Sequence, residues 1–347
     1  MDKIRIVHVG LGGWGGNWAA HVLPVHPDVE VVGWVEVLPD RRKSFAARLG
    51  ALEDRFHERL DQAFAAGPVD AVTIAVPIAL HEPLARQALE AGKHVVVEKP
   101  FTATMAEARG LVELARSRNL LLAVSQNYRF YPAAQMVASL AHSMIFGRLV
   151  GGKIDFRRNN VFARGGNLDW PDPMLADMAV HHYDLMRMIV GADPVEISAR
   201  SWNPPNSPYT NDPAAAMVLT FPDEATISYR GSWVDIGPQT PWAGEWQLDF
   251  EKASLVWTGR GSEPLPMIKD RVAIVRQHEE PEEVPLPPYP LHDRAGVLHA
   301  FAEALRTGIE PPFFPSGRAN LGTLASIEAA LRSAASGGAP VRLDSIQ

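Results

Sequence analysis

Three short constellations in this 347-residue chain carry residue types that could do chemistry. The first is Gly10-Leu11-Gly12-Gly13-Trp14-Gly15, a G-x-G-x-x-G placed directly after an apolar run and at the head of an amphipathic stretch. Gly10 suits a tight turn, Gly12 lets backbone approach a pyrophosphate, and Gly15 lets a helix pack closely on a strand. The anion would then sit on the unpaired amides of a helix N-terminus, with Gly13 and Trp14 in the same turn. Glu36 ends the next apolar run, at the distance where an acid reaches the adenosine ribose hydroxyls. There it would repel a 2′-phosphate, so NAD is expected ahead of NADP. Arg41, Arg42 and Lys43 supply the competing reading, a basic cluster that could hold such a phosphate.

The second constellation is Glu98-Lys99-Pro100, at the end of the apolar run 94–97. Ligands of open α/β sheets bind beyond the carboxyl ends of strands, so Lys99 would reach them. Its ammonium could hydrogen-bond a substrate oxygen and stabilise an alkoxide as hydride leaves the same carbon. Pro100 would fix the turn, by a cis bond if the chain needs one. A plain surface turn is the alternative.

The third is Asp177-Met178-Ala179-Val180-His181-His182-Tyr183-Asp184. Asp172-Pro173 is a capping acid followed by proline at a first helical position, which predicts a helix start. At about 100° per residue, Asp177, His181, Asp184 and Met188 share one face, and Leu175, Met178, His182, Leu185 and Ile189 share nearly the opposite one. His182 is therefore expected in the core. His181, with Asp177 and Asp184 a turn to either side, suits a general base near neutral pH. A solvated polar face would look the same. Adjacent histidines point about 100° apart on a helix, so no metal site is expected.

The elements that must position these residues change character along the chain. Up to residue 125, strand candidates at 4–9, 29–35, 71–75, 94–97 and 120–124 alternate with amphipathic stretches at 15–26, 40–49, 58–66, 80–91 and 104–118. That alternation predicts βαβ units and a doubly wound parallel sheet, a Rossmann domain over residues 1–125. Residues 126–347 read differently. Helical stretches at 132–142 and 174–190 and strands at 153–157, 195–201, 215–221, 226–233, 245–250 and 253–258 predict an α+β domain on a large, mostly antiparallel, open-faced sheet. The proline-rich stretch 261–291 reads mostly as loop, and helices at 294–307 and 316–335 close the chain.

Composition bounds the function. The net charge is −7 without a basic block, so nucleic acid is not an expected partner. The absence of cysteine removes disulfides, thiolate metal sites and cysteine nucleophiles. No apolar run reaches the ~18 residues of a membrane span, and residues 1–7 lack the pattern of a signal peptide. A soluble, cytoplasmic protein is the expectation. Six tryptophans of the second domain, at 170, 202, 233, 242, 246 and 257, could stack on sugar faces but are expected mainly in the core or an interface.

Taken together these motifs resemble the Gfo/Idh/MocA oxidoreductases, the glucose–fructose oxidoreductase and inositol dehydrogenase family. The resemblance spans nearly the whole chain: the Gly10–Gly15 fingerprint, Ala75-Val76-Pro77 with His81, the run from Ala91 to Pro100, Gln126-Asn127-Tyr128-Arg129-Phe130, and Asp177-x-x-x-His181-x-x-Asp184. It implies that Lys99, Asp177 and His181 form the catalytic group. It further implies that Ala75, Val76, Pro77, His81 and Glu98 help line the cofactor, and that Asn127 and Tyr128 face the substrate. One departure is Asp172-Pro173-Met174-Leu175-Ala176, where the family often has a glycine-rich run. The activity implied is hydride transfer between a nicotinamide cofactor and a secondary alcohol of a sugar, polyol or related carbohydrate. Two other activities fit the same fold: an NAD-dependent glycoside hydrolase and a non-catalytic dinucleotide sensor. A homodimer or homotetramer formed through the second domain's sheet is also expected.

Overall fold

The structure is a computed structural model that describes residues 3–159, 168–261 and 270–346. By backbone proximity the chain divides into two units, residues 1–127 with 291–321, and residues 128–290 with 322–347.

In the first unit, short apolar runs form β1 (Ile4–Val9), β2 (Val29–Val35), β3 (Phe56–His57), β4 (Ala71–Ile74), β5 (His94–Val97) and β6 (Leu122–Val124). They pair in parallel in the order β3-β2-β1-β4-β5-β6. The strand order reverses between β1 and β4, the switch point where open α/β sheets bind ligands. The β4 side chains and Val95–Val97 are buried, as in a sheet covered on both faces. The helices between strands are α1 (Gly13–His21), α2 (Pro39–Leu49), α3 (Leu60–Ala66), α4 (His81–Glu90) and α5 (Met105–Ser117). Thr104 starts α5 with a capping box, its hydroxyl accepting from the Glu107 amide while the Glu107 carboxylate accepts from the Thr104 amide.

The division departs from a single boundary after residue 125. The chain leaves the first unit after residue 127 and returns to it over 291–321. The reason is a set of contacts far apart in sequence. The His26 ring meets the Ala295 carbonyl at 2.9 Å, Asp28 takes His299 and Arg306 at 2.7 Å each, and the Val124 amide donates to the Pro315 carbonyl.

In the second unit, α6 (Pro132–His142), β7 (Leu149–Arg157), α7 (Ala179–Val190), β8 (Glu196–Trp202), β9 (Ala214–Thr220), β10 (Thr226–Ser232), β11 (Glu245–Phe250) and β12 (Ser254–Thr258) follow in order. Two further strands, β13 (Arg271–Val275) and β14 (Glu282–Glu283), lie in the stretch expected to be loop. Val272, Ala273 and Ile274 are buried there despite the flanking prolines, while 262–269 lie outside the described residues. After α8 (Asp293–Thr307) and α9 (Gly317–Ala335), β15 (Val341–Arg342) completes a nine-stranded sheet of order β14-β13-β12-β11-β7-β10-β9-β8-β15. Among the described residues β7 and β10 are its one parallel pair. Along β9 and β10, buried Met217, Leu219, Ile227 and Tyr229 alternate with exposed Ala216, Val218, Thr226 and Ser228, so one face is covered within the unit.

The helix carrying His181 corrects two expectations. Pro173–Met178 forms a π-helical turn before α7, and its i→i+5 bonds break the 100° phasing used for Asp177. Asp172 precedes it at φ 45° without a side-chain cap. The alternative of a solvated polar face does not hold, because ten of the twelve α7 residues, including His181 and Asp184, are buried. Gly191, at φ 76°, ends the helix with its amide on the Arg187 carbonyl. Trp233, Trp246 and Trp257 lie in the core, whereas Trp170 and Trp202 are exposed.

Candidate active site

The glycine loop is crowded at two of its glycines and open at two others. A Cβ on Gly10, at φ +99°, would sit 2.3 Å from the Ala75 carbonyl oxygen, and one on Gly15 would sit 2.2 Å from the Gly10 oxygen. Both glycines are therefore required for the turn and for helix packing. Gly12 and Gly13 differ: the nearest atom to a Cβ on Gly12 is an Arg41 nitrogen at 3.7 Å, and nothing lies within 4 Å of one on Gly13. Their backbone is therefore uncrowded on that side. A cavity of 310 Å³ opens beside these two glycines, with Arg41 and Arg48 on its wall.

Glu36 lies at the end of β2 and is 6% exposed. Its Oε2 accepts from the Leu11 amide at 3.0 Å and from Arg41 at 3.3 Å, and its Oε1 accepts from the Leu38 amide at 3.0 Å. Burial pushes this carboxyl up, but the Leu38 and Leu11 amides and Arg41 outweigh it and hold the pKa below the usual carboxylate value. A carboxylate has about four acceptor sites, so these bonds leave room on Oε1 for a ribose hydroxyl. Arg42 donates to the carbonyls of Glu36 and Val37 at 2.5 and 3.1 Å.

Two other residues expected at the cofactor are buried in the same unit. His81 is buried, with Nε2 2.9 Å from the Val76 carbonyl and Nδ1 2.9 Å from the Pro100 carbonyl. It ties the Ala75–Pro77 segment after β4 to the turn after β5, where the Lys99–Pro100 peptide is cis. Glu98 is also buried; its Oε1 accepts from the Trp14 and Trp18 indoles at 2.8 and 2.7 Å, and its Oε2 from the Lys99 amide at 3.1 Å. The carboxylate thus fixes the backbone of Lys99, whose side chain is half-buried. Trp14, 44% exposed, lies under the Arg294 guanidinium at 4.2 Å, and Arg294 also donates to Asn17 at 2.6 Å. Asn127 is buried and donates to Asp293. Nothing in the local sequence marks Trp18, Asp293 or Arg294, because their partners lie 80 to 277 positions away.

In the second unit, His181 stacks on Tyr128 with ring centroids 3.9 Å apart and planes 5° from parallel. Asp177 is half-buried in the π-helical turn before it. Asp184 does not serve His181 as expected. It accepts from Arg129 Nε at 2.5 Å and Nη2 at 2.7 Å, and from Thr323 at 3.1 Å. Residues 128–129 therefore grip α7 twice, through the stack and through a buried ion pair. His182 is fully buried, its Nδ1 3.0 Å from the Tyr229 hydroxyl, and burial pushes its pKa down to about 3. It is a core histidine, as expected. The Tyr128 hydroxyl accepts from Arg260 at 2.5 Å, a partner that sequence reasoning missed.

Among the described residues, no group of three or more His, Asp or Glu side chains could hold a metal ion, and no helix is long and apolar enough to cross a membrane.

Comparison with known proteins follows these two units. Residues 4–126 match the family model described as the GFO/IDH/MocA oxidoreductase family with an NAD-binding Rossmann fold, and residues 134–256 match the GFO/IDH/MocA C-terminal domain. An uncharacterised Sinorhizobium fredii protein is 28% identical over 337 residues, covering 95% of this chain and 93% of its own. A D-apiose dehydrogenase from Paraburkholderia graminis is 26% identical over 321 residues, covering 89% and 82%. Among solved structures, an Agrobacterium radiobacter oxidoreductase in complex with NAD+, L-tartaric acid and magnesium superposes with a TM-score of 0.84 at 20% identity, over 100% of both chains.

Proposed function

Because the chain belongs to the Gfo/Idh/MocA oxidoreductases, with an NAD-binding Rossmann fold, we propose that it oxidises or reduces a secondary alcohol centre of a sugar, polyol or related carbohydrate. The observation that carries this reading is the open backbone of Gly12 and Gly13 at the switch point, with the Glu36 carboxylate fixed beside it. The similarity to a D-apiose dehydrogenase over most of the chain supports the substrate class.

NAD fits the residues present: Gly12 and Gly13 take the pyrophosphate and Glu36 takes the adenosine ribose. When bound, it supplies the nicotinamide carbon that accepts or returns a hydride. Glu36 favours NAD over NADP, because Arg41 offsets only part of its charge and Arg42 is turned to carbonyls. For the protein's own chemistry, His181 takes the hydroxyl proton and Asp177 supports the imidazolium that results. Lys99 donates to the same substrate oxygen and stabilises its developing negative charge. Tyr128 keeps the His181 ring in one plane. Pairing of subunits through the outer face of the nine-stranded sheet, where Val150 and Val218 are exposed, is part of this reading, and light scattering tests it.

The experiment is a screen of sugars and polyols with NAD, read by nicotinamide absorbance. Net NADH formation with a free sugar or polyol is the expected result. Glycoside cleavage without net reduction would replace the dehydrogenase with an NAD-dependent hydrolase. Cofactor binding without any turnover would leave a sensor.

A further inference from the structure

One buried carboxylate joins the glycine loop to Lys99. Trp14, the second residue of α1, sits between Gly13 and Gly15, and its indole donates to Glu98 Oε1 at 2.8 Å. Trp18, one turn further along the same helix, donates to that oxygen at 2.7 Å, and Oε2 accepts from the Lys99 amide at 3.1 Å. A three-residue relay therefore runs from the loop, through Glu98, to the backbone of the residue after it, and all of it lies in the first unit.

The two indoles have different reasons to be there. Trp18 is 2% exposed and stacks on the buried His8 ring, so it packs the core whatever its N–H does. Trp14 is 44% exposed, and burial does not account for a large aromatic in the glycine loop. The Arg294 guanidinium lies 4.2 Å over its ring and orients the indole plane. What the indole offers that a smaller apolar side chain does not is the N–H on Glu98. Bonds to an ionised carboxylate are the stronger kind, and burial of Glu98 strengthens them further. The loop end of the relay is where an anion acts: phosphates settle on the free amides at a helix N-terminus, beside the uncrowded Gly12 and Gly13.

We propose that Trp14 is a positioning residue that makes the placement of Lys99 depend on the diphosphate held at the glycine loop. Filling the loop orders Trp14, Trp14 orders Glu98, and Glu98 sets the Lys99 amide, so the ammonium is poised for the substrate oxygen once the cofactor is in place. The role of Lys99 rests on the dehydrogenase reading; the coupling itself does not.

The test follows the Lys99 amide resonance in protein labelled with ¹⁵N-lysine, assigned by its absence in Lys99→Arg, as ADP is added. ADP carries the adenosine and both phosphates of NAD but brings no nicotinamide to Lys99. It should shift this resonance in the unmodified protein. In Trp14→Phe, which keeps an aromatic ring and loses the N–H, the shift should fall below a third, with ADP affinity by calorimetry within threefold. Circular dichroism checks that the variant folds. On a substrate found in the sugar and polyol screen, Trp14→Phe should lower kcat three- to thirtyfold and change the KM for NAD less than threefold. It should add no further loss in Glu98→Gln, where the link to the Lys99 amide is already broken. A Lys99 amide indifferent to bound ADP, an equal shift in Trp14→Phe, or additive losses in the double variant would overturn the proposal. The shift and its loss, without turnover of any sugar or polyol, would uphold the coupling and overturn the dehydrogenase reading instead.

Discussion

Replacing Asp184 with alanine should destabilise the second unit by about 3–5 kcal/mol, the usual cost of leaving one partner of a buried ion pair uncompensated. The magnitude follows from the site. The Asp184 side chain is 2% exposed and that of Arg129 6%, the two meet through a pair of bonds at 2.5 and 2.7 Å, and Thr323 adds a third to the carboxylate. Arg129 cannot swing easily to water, since its carbonyl is held by Gln135 at 2.6 Å and its neighbour Tyr128 is stacked on His181. Asp184→Asn keeps an acceptor but loses the charge, so it should cost roughly half as much. The informative comparison is Arg129→Met with Asp184→Leu, which removes both charges and fills the space; it should recover most of the loss. Urea unfolding at neutral pH, followed by circular dichroism, measures each difference. Thermal midpoints should fall by roughly 6–20 °C in Asp184→Ala for a unit of this size. An Asp184→Ala protein within about 1 kcal/mol of the unmodified one would refute this account of how α7 is held. So would a double variant no more stable than the single.

Three further outcomes follow from the geometry. Glu36→Ala should weaken NAD binding at least tenfold and narrow the gap to NADP, because it removes a ribose acceptor and a negative charge; calorimetry with each cofactor decides, and tighter NADP binding by the unmodified protein would reverse the assignment. Stability should decline as pH falls below about 6.5, because burial holds the folded-state pKa of His8 near 4 and of His182 near 3 while the unfolded chain takes up protons. Each histidine should cost roughly 1 kcal/mol between pH 7 and about pH 5.5, and a flat urea midpoint over that range would contradict their burial as neutral rings. Glu98→Gln should lower turnover more than cofactor affinity: the amide can still accept from the two indoles but presents a donor to the Lys99 amide, and an unchanged turnover rate would show that Glu98 does not position Lys99.

The first unit was the more legible in sequence, for a physical reason. Strands of a sheet covered on both faces are mostly apolar runs with few interruptions, so Ile4–Val9, Val29–Val35 and His94–Val97 have the bounds their residues suggest. β3 escaped because two residues carry no period. In the second unit, β13 and β14 were hidden by surrounding prolines and glutamates, since pairing with neighbours rather than composition makes them strands. The site divides in the same way. Gly10, Gly12, Gly15 and Glu36 are marked by spacing along the chain, whereas the Asp184–Arg129 pair and the Arg260–Tyr128 bond join distant positions. Helical phasing placed His182 correctly, because it lies in regular helix with Leu185 and Ile189. At Asp177 a π-helical turn changes the angle per residue, which the sequence does not signal.

In the proposed reaction Lys99 and His181 act on the substrate while the glycine loop and Glu36 hold NAD. The most direct test is single-turnover hydride transfer with saturating NAD, on a substrate found in the screen, in Lys99→Ala, His181→Ala and His182→Ala. The first two should bind NAD as the unmodified protein does and transfer hydride about 10²–10⁴-fold more slowly, as when a general base or its electrostatic partner is lost. His182→Ala should lose stability more than rate. Normal transfer in His181→Ala, with transfer abolished in a folded His182→Ala, would contradict the account.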